Sequence, residues 1–236
     1  PYSIEYMGEA DFSAMAAAGY DISIPGNHEF SPKLDEFRRN YRIFPHAVSA
    51  NIVDRKTGAL VFPAYRIHEV DGVKLAFFGL TVPTPKYPAA KEGLDFIDPF
   101  EAAKKLVPTL REKADVVVAI THLGADVDQE LARAVPGIDV IVGGHSHDRL
   151  DEPLFVDAPG EPSAFCVGGT IIVQDYWWAG ELGRLDLRLR RDGGPFTVMG
   201  YRGELIPVVS SIPEDRETAE VVDRYLTTTW TAGTAR

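Results

Sequence analysis

The stretch Gly143-Gly144-His145-Ser146-His147 decides how the fold of this chain is interpreted. It follows an apolar run, residues 138–142, which predicts a buried strand. The two glycines allow a sharp turn because glycine adopts positive φ angles, and two histidines follow with one residue between them. Imidazole is the commonest metal ligand, and open α/β sheets bind ligands at the carboxyl ends of their strands. We therefore predict that His145 and His147 face a metal centre at the end of a central strand.

Composition limits the classes of protein to which the chain can belong. Its 236 residues suit one large domain, and 45% hydrophobic with 25% charged residues is typical of a globular protein. The net charge of −11, without clustered Lys and Arg, argues against a nucleic acid polymer as partner. A small phosphate substrate remains compatible with this charge, because a metal centre supplies positive charge locally. No apolar run reaches the length of a membrane helix, and the single cysteine, Cys166, excludes an intramolecular disulfide.

The order of predicted elements indicates an α/β fold. Residues 98–142 read as helix, strand, helix and strand, which predicts parallel strands. Antiparallel pairing is predicted at the edges, by a hairpin around Asp71-Gly72 and by alternating apolar residues in 185–190. Short strands are also expected at 21–24 and 47–50. Ser31-Pro32 is expected to start a helix, with Ser31 as its N-cap, and a last helix is expected over 213–227.

Three loops share one design, in which a short apolar strand is followed by ligand-type residues beside glycine. They are residues 26–30, 121–124 and 143–147, and they contain four of the six histidines. Nitrogen and oxygen donors from separate strand ends are what a divalent cation requires. A purely structural role for His145 and His147 in a glycine-rich turn is the alternative, and His122 alone would suit a hydrogen-bonded strand end equally well.

These blocks resemble the calcineurin-like metallophosphoesterases, and more closely their 5′-nucleotidase branch. The matching pieces are Gly-Asn-His-Glu at 26–29, Ser-Ala-Asn-Ile at 49–52, Gly-Leu-Thr at 79–81, Thr-His-Leu-Gly at 121–124, Gly-His-Ser-His at 144–147 and the late strand at 182–187. The resemblance covers nearly the whole chain. It implies a four-layer α/β/β/α sandwich of two mixed β-sheets flanked by helices, with two divalent metal ions.

The resemblance also assigns roles to individual residues. By matching position, Asn27, His122 and His145 correspond to ligands of one metal and His147 to a ligand of the other, while His28 corresponds to the catalytic histidine near the leaving-group oxygen. The implied reaction is in-line attack on a phosphate ester by a metal-activated water, with protonated His28 stabilising transition-state charge. Mixed His, Asn and Asp donors suit Zn²⁺, Mn²⁺ or Fe²⁺.

The sequence departs from the family pattern in two places. The family has an Asp-x-His pair and a metal-bridging Asp upstream of Gly-Asn-His-Glu, and we expect both to precede Pro1, since no Asp-x-His occurs in the sequence. Ser31 stands where the family usually has an Asp that orients the catalytic histidine. The expected organisation is a metallophosphoesterase domain over 1–212 that lacks its first strands, followed by a linker helix over 213–236 leading to a C-terminal substrate domain.

The expected function is metal-dependent hydrolysis of phosphate monoesters, with 5′-nucleotides as substrates and no nucleic acid polymer as partner. A 2′,3′-cyclic phosphodiesterase or a sulfur-ester hydrolase of the same branch is the alternative within the fold. A catalytically inactive metal-binding module is the alternative of another class. Family resemblance suggests a periplasmic or extracellular location. For Trp177 and Trp178, a substrate stack and a place in the core or an interface both stay open, and Asn51 is either a strand end or a residue near the site.

Overall fold

The computed structural model describes residues 6–157, 168–194 and 196–233, so Cys166 lies outside the described residues. The helices are α1 (Glu9–Ala17), α2 (Leu34–Ile43), α3 (Pro88–Gly93), α4 (Pro99–Arg111), α5 (Ala125–Ala134) and α6 (Arg216–Gly233), and a short 3-10 turn covers Asn27–Phe30. The strands are β1 (Ile52–Asp54), β2 (Tyr65–Val70), β3 (Val73–Thr81), β4 (Leu94–Phe96), β5 (Val116–His122), β6 (Val140–Val142), β7 (Leu154–Asp157), β8 (Gly169–Val173), β9 (Glu181–Arg191) and β10 (Phe196–Pro207).

A six-stranded mixed sheet forms the centre of the molecule, in the order β2-β3-β5-β6-β8-β7. Its four inner strands are parallel, as predicted, and the two outer strands pair antiparallel. The hairpin around Asp71-Gly72 forms one edge as predicted, whereas β7 forms the other edge and residues 185–190 lie in a separate sheet. The register pairs Thr81 with His122 and Val142 with Val173. The last residues of the four parallel strands therefore meet at one edge of the sheet.

The two faces of this sheet are covered differently. On β5, Val117 and Ala119 belong to a core that includes α4 and α5, whereas Val116 and Val118 pack with apolar residues of the β9–β10 hairpin such as Val198. This alternation is the period-two pattern of a strand buried on both faces. The layers run from helices through the central sheet to the hairpin, which confirms the predicted α/β class with sheets flanked by helices. The antiparallel pairs β1–β4 and β9–β10 are separate two-stranded sheets.

Three predicted details are wrong. Residues 21–24 and 47–50 form only the isolated bridge between Ser23 and Ala47, with Ala50 N–H bonded to Gly79 O (2.8 Å), so neither segment builds a ladder. Ser31 does not cap α2, because it ends the 3-10 turn instead. The Ser31 N–H donates to His28 O (3.0 Å). Lys33 is the N-cap instead, and its N–H donates to Glu36 Oε2 (2.9 Å).

The helix α6 packs against α1 at the other end of the chain. Tyr6 donates to Tyr225 O (2.7 Å), the two rings lie 4.9 Å apart, and Ser13 Oγ lies 2.9 Å from the Tyr225 hydroxyl. The predicted domain boundary at residue 212 stays a prediction. Across the described ranges, no helix is long and apolar enough to span a membrane.

Candidate active site

Glycines allow the three histidine-bearing loops to approach one another closely. A Cβ at Gly26 would lie 2.9 Å from His122 Nε2, and a Cβ at Gly144 would lie 3.3 Å from His122 Nδ1. The first distance is shorter than real Cβ contacts, so only glycine fits at position 26 without a shift of its neighbours. The 26–30 segment therefore packs against Nε2 of the His122 ring, and the 143–147 loop packs against Nδ1.

Asn27, His122 and His145, the predicted ligands of one metal, lie together. His122 Nε2 is 2.9 Å from Asn27 Oδ1, and the rings of His122 and His145 are 5.0 Å apart. Asn27 Nδ2 donates to the hydroxyl of Tyr87 (3.2 Å), which fixes its amide so that the oxygen faces His122. The sequence did not identify Tyr87, because it stands in a proline-rich loop with no strand or motif signal.

His28 and His147 lie at the same edge of the sheet. His28 is exposed, with its ring 6.3 Å from that of Tyr87, and the His147 ring lies 5.4 Å from Trp177. Both histidines are near enough to His122 to act on its charge. The backbone of His145 and His147 is left-handed, with φ of 83° and 59°. Non-glycine residues seldom adopt this conformation, and it often accompanies functional sites.

The electrostatics keep two imidazoles neutral. Burial, with a smaller contribution from the neighbouring histidines, lowers the pKa of His122 to about 4. Burial also lowers the pKa of His145, with contributions from His147 and His28. A neutral imidazole has the free lone pair that a metal ion requires. Glu29 is structural, as its carboxylate accepts from Gly26 N–H (2.7 Å), while burial raises its pKa.

The donor set fits part of a metal coordination shell. Asn27 Oδ1 and the imidazoles of His122 and His145 are neutral donors of the kind that Zn²⁺, Mn²⁺ and Fe²⁺ accept. Within the described residues, no group of three or more His, Cys, Asp or Glu side chains is arranged to hold a metal ion. The residues present therefore supply neutral ligands, and a complete shell needs further donors.

The structure defines the environment of the three residues for which the sequence left two roles open. Asn51 is fully buried, its amide donates to Thr81 O (2.7 Å), and its oxygen accepts from Thr81 N–H (2.9 Å). It is a structural residue that binds the end of β3. Trp177 and Trp178 stack on each other at 4.3 Å, and 83% of Trp178 is exposed. The pair therefore lies at the surface beside His147 rather than in the core.

Comparison with known proteins identifies the family of the chain. The family model described as calcineurin-like phosphoesterase matches residues 5–149. The chain is 37% identical over 228 residues to a 5′-nucleotidase of Vibrio cholerae, covering 85% of this chain and 40% of that protein. These matches confirm the predicted family.

Solved structures give the same result for the fold. The structure of a 5′-nucleotidase precursor from Thermus thermophilus superimposes with a TM-score of 0.83 at 28% identity, over 98% of this chain and 47% of that one. A sulfate thiohydrolase SoxB of the same organism gives 0.82 at 29% identity, over 96% and 40%. The chain thus has the fold of these structures, and it spans about two-fifths of the length of the Vibrio cholerae relative.

Proposed function

The chain belongs to the calcineurin-like phosphoesterase family, and we propose that it carries the metal-binding part of an enzyme that hydrolyses phosphate monoesters, with 5′-nucleotides as substrates. One observation carries the proposal: at the carboxyl edge of the sheet, His122 lies 2.9 Å from Asn27 Oδ1 and its ring lies 5.0 Å from that of His145, so residues of three separate segments meet there. The similarity to a Vibrio cholerae protein named 5′-nucleotidase supports the choice of substrate.

Each residue of the edge has a role in this proposal. Asn27, His122 and His145 would hold one divalent ion, and His147 would contribute to the second. Bound divalent ions supply positive charge for the phosphate oxygens and acidify water. Burial keeps His122 neutral and ready to bind, and the Tyr87 hydroxyl holds the Asn27 amide in place. The ions are Zn²⁺, Mn²⁺ or Fe²⁺, and the periplasmic or extracellular location stays a prediction.

His28 has a different part because it matches the catalytic histidine of the family by position, and its side chain is exposed, as are those of His145 and His147. It lies on the 3-10 turn that also holds the half-buried Asn27. In protonated form it would stabilise negative charge on the phosphate and give its proton to the leaving-group oxygen. Ser31, at the end of that turn, offers no carboxylate to orient the imidazolium.

The test measures phosphate released by the natural full-length protein from adenosine 5′-monophosphate with Mn²⁺ added. His122→Ala and Asn27→Ala are each expected to lower kcat/KM by about 100-fold or more, because even residues that support metal ligands cost 10- to 100-fold. The matched control is His68→Ala, since His68 lies on β2 and packs against Phe77, outside the site. Equal activity in all three variants would contradict the proposal.

The same assay separates the alternatives. A 2′,3′-cyclic nucleotide hydrolysed in preference to the 5′-monophosphate would indicate the phosphodiesterase, and a preferred sulfur ester would indicate the hydrolase related to the SoxB structure. If metal analysis finds bound ions while no ester is hydrolysed, the inactive metal-binding module is the correct interpretation.

A further inference from the structure

A group of buried oxygen atoms lies beneath the 143–147 loop. Asp128 on α5 is completely buried, and Gln174, directly after β8, is 3% exposed. Both carboxylate oxygens of Asp128, Gln174 Oε1 and the hydroxyl of Thr121 lack a hydrogen-bond partner among the described residues. Buried polar atoms are nearly always hydrogen-bonded, and each one left unpaired is costly. The arrangement therefore requires a proton or a ligand that the two side chains share.

Asp128 and Gln174 approach the same point beneath the loop backbone. A Cβ added to Gly143 would overlap Asp128 Oδ2 and lie 3.2 Å from Gln174 Oε1. The Gly143 N–H donates to Val173 O (2.8 Å), which holds the backbone above them. Two acceptor oxygens that converge in a buried space repel each other unless a hydrogen lies between them.

The amide nitrogen of Gln174 already has a hydrogen-bond partner. Gln174 Nε2 donates to Ser146 Oγ (3.1 Å), and the same oxygen accepts from Ala125 N–H (3.0 Å) at the start of α5. The amide orientation of Gln174 is thereby fixed, with its oxygen turned away from Ser146. Ser146 lies between His145 and His147 in sequence, so this chain of contacts reaches the residues that the proposed function uses.

We propose that Asp128 is a positioning residue, a neutral carboxylic acid that donates a hydrogen bond to Gln174 Oε1 and so holds Gln174, Ser146 and the 143–147 loop in place. Burial raises the pKa of Asp128 to about 7, which makes the neutral form accessible, although the nearby Thr121 hydroxyl acts in the opposite direction. The hydrogen bond does not depend on the proposed function; only its effect on catalysis does.

The structural test uses Asp128→Asn and Asp128→Ala in the full-length protein, with hydrogen exchange of the Ala125 and Gly143 amides as the measurement. An asparagine donates N–H to Gln174 without charge, so exchange should stay within about threefold of wild type. Alanine removes the donor and should accelerate exchange by ~10-fold or more. Fast exchange in both variants would overturn the proposal, as would protection that depends on added K⁺ or Na⁺, which would indicate a cation site.

Infrared spectroscopy gives a second readout that does not require the alanine variant to fold. The difference spectrum of wild type minus Asp128→Asn at pH 6 should contain the C=O band of a protonated carboxyl group, and its absence would overturn the proposal. If the protein hydrolyses phosphate monoesters as proposed, Asp128→Ala lowers kcat by roughly 10- to 100-fold with little change in KM. Should wild type hydrolyse no ester while exchange and infrared behave as stated, the proposed function fails and the positioning role of Asp128 stands.

Discussion

At the residue scale, glycine decides how tightly the site is built. Gly26, Gly143 and Gly144 each stand where a Cβ would press on a side chain of the site or its support. Their importance lies in close approach rather than in backbone conformation, since none of the three has a positive φ. That glycines stand beside the histidines is visible in the sequence. Which atoms these glycines approach depends on how distant strands pair and could not be predicted.

Gly143→Ala should destabilise the protein by about 1–3 kcal/mol, because the added methyl group overpacks a buried region against Asp128 and Gln174. Urea denaturation followed by circular dichroism measures the change in free energy of unfolding. The matched control is Gly194→Ala, where a Cβ would meet nothing within 4 Å. Its stability should stay within about 0.5 kcal/mol of wild type. Equal effects of the two substitutions would contradict the packing argument.

At the element scale, Asn51 joins two sheets next to the site. It precedes β1, and its side chain bonds both the N–H and the C=O of Thr81 at the end of β3, as well as Ile97 O (3.3 Å) after β4. Since Thr81 pairs with His122 in the central sheet, Asn51 holds the strand end that neighbours a proposed ligand. It therefore acts on the site through the backbone.

Asn51→Ala should cost about 2–4 kcal/mol, because it leaves the buried N–H and C=O of Thr81 unpaired, each at about 1–3 kcal/mol. Thermal and urea unfolding measure the loss. Gln129→Ala is the control, since that amide has two long bonds within its own helix, donating to Ala125 O (3.4 Å) and accepting from Arg133 (3.5 Å). Its effect should be below about 0.5 kcal/mol. A stable Asn51→Ala protein would show that water replaces the lost bonds.

Elements were predictable from sequence where the signal was local. The β2–β3 hairpin follows from Asp71-Gly72, and α4 begins as predicted after Asp98, whose carboxylate accepts from Phe100 N–H (2.9 Å) and Glu101 N–H (3.0 Å). The failures depend on tertiary contacts. The segments at 21–24 and 47–50 have strand composition yet find only one bridging pair. The 3-10 turn at Asn27–Phe30 displaced the predicted cap at Ser31, because Glu29 turns back onto Gly26 N–H.

At the scale of the whole molecule, His122 and the 143–147 loop come together because the parallel strands β5 and β6 end at one edge. The sequence predicted this convergence, since both follow an apolar run, whereas Asn27 and His28 reach the edge on a 3-10 turn. The support beneath the edge was not predictable: Asp128 is a helical residue, Gln174 directly follows a strand, and neither stands in a recognised motif. Only the pairing of β6 with β8 brings residues 143 and 174 together. Positions far apart in sequence thus determine the loop that carries His145 and His147.

Metal binding should appear as stability of the whole molecule. A ligand that binds only the folded state at 100 times its Kd adds about 2.7 kcal/mol, which is a Tm increase of roughly 5–10 °C for a domain of this size. We expect that increase when Mn²⁺ or Zn²⁺ is added to metal-free full-length protein, measured by scanning calorimetry.

The Tm measurement requires a control for non-specific binding, because the net charge is −11 and any divalent cation reduces the self-repulsion of an acidic chain. Ca²⁺ prefers all-oxygen sites, so at equal concentration it should give only the small non-specific increase. His122→Ala should reduce the Mn²⁺ response to that same level, since it removes a neutral donor held beside Asn27 at 2.9 Å. A full Mn²⁺ response in His122→Ala would place the metal elsewhere. Equal responses to Mn²⁺ and Ca²⁺ in wild type would mean that surface charge, rather than the histidine edge, binds the ions.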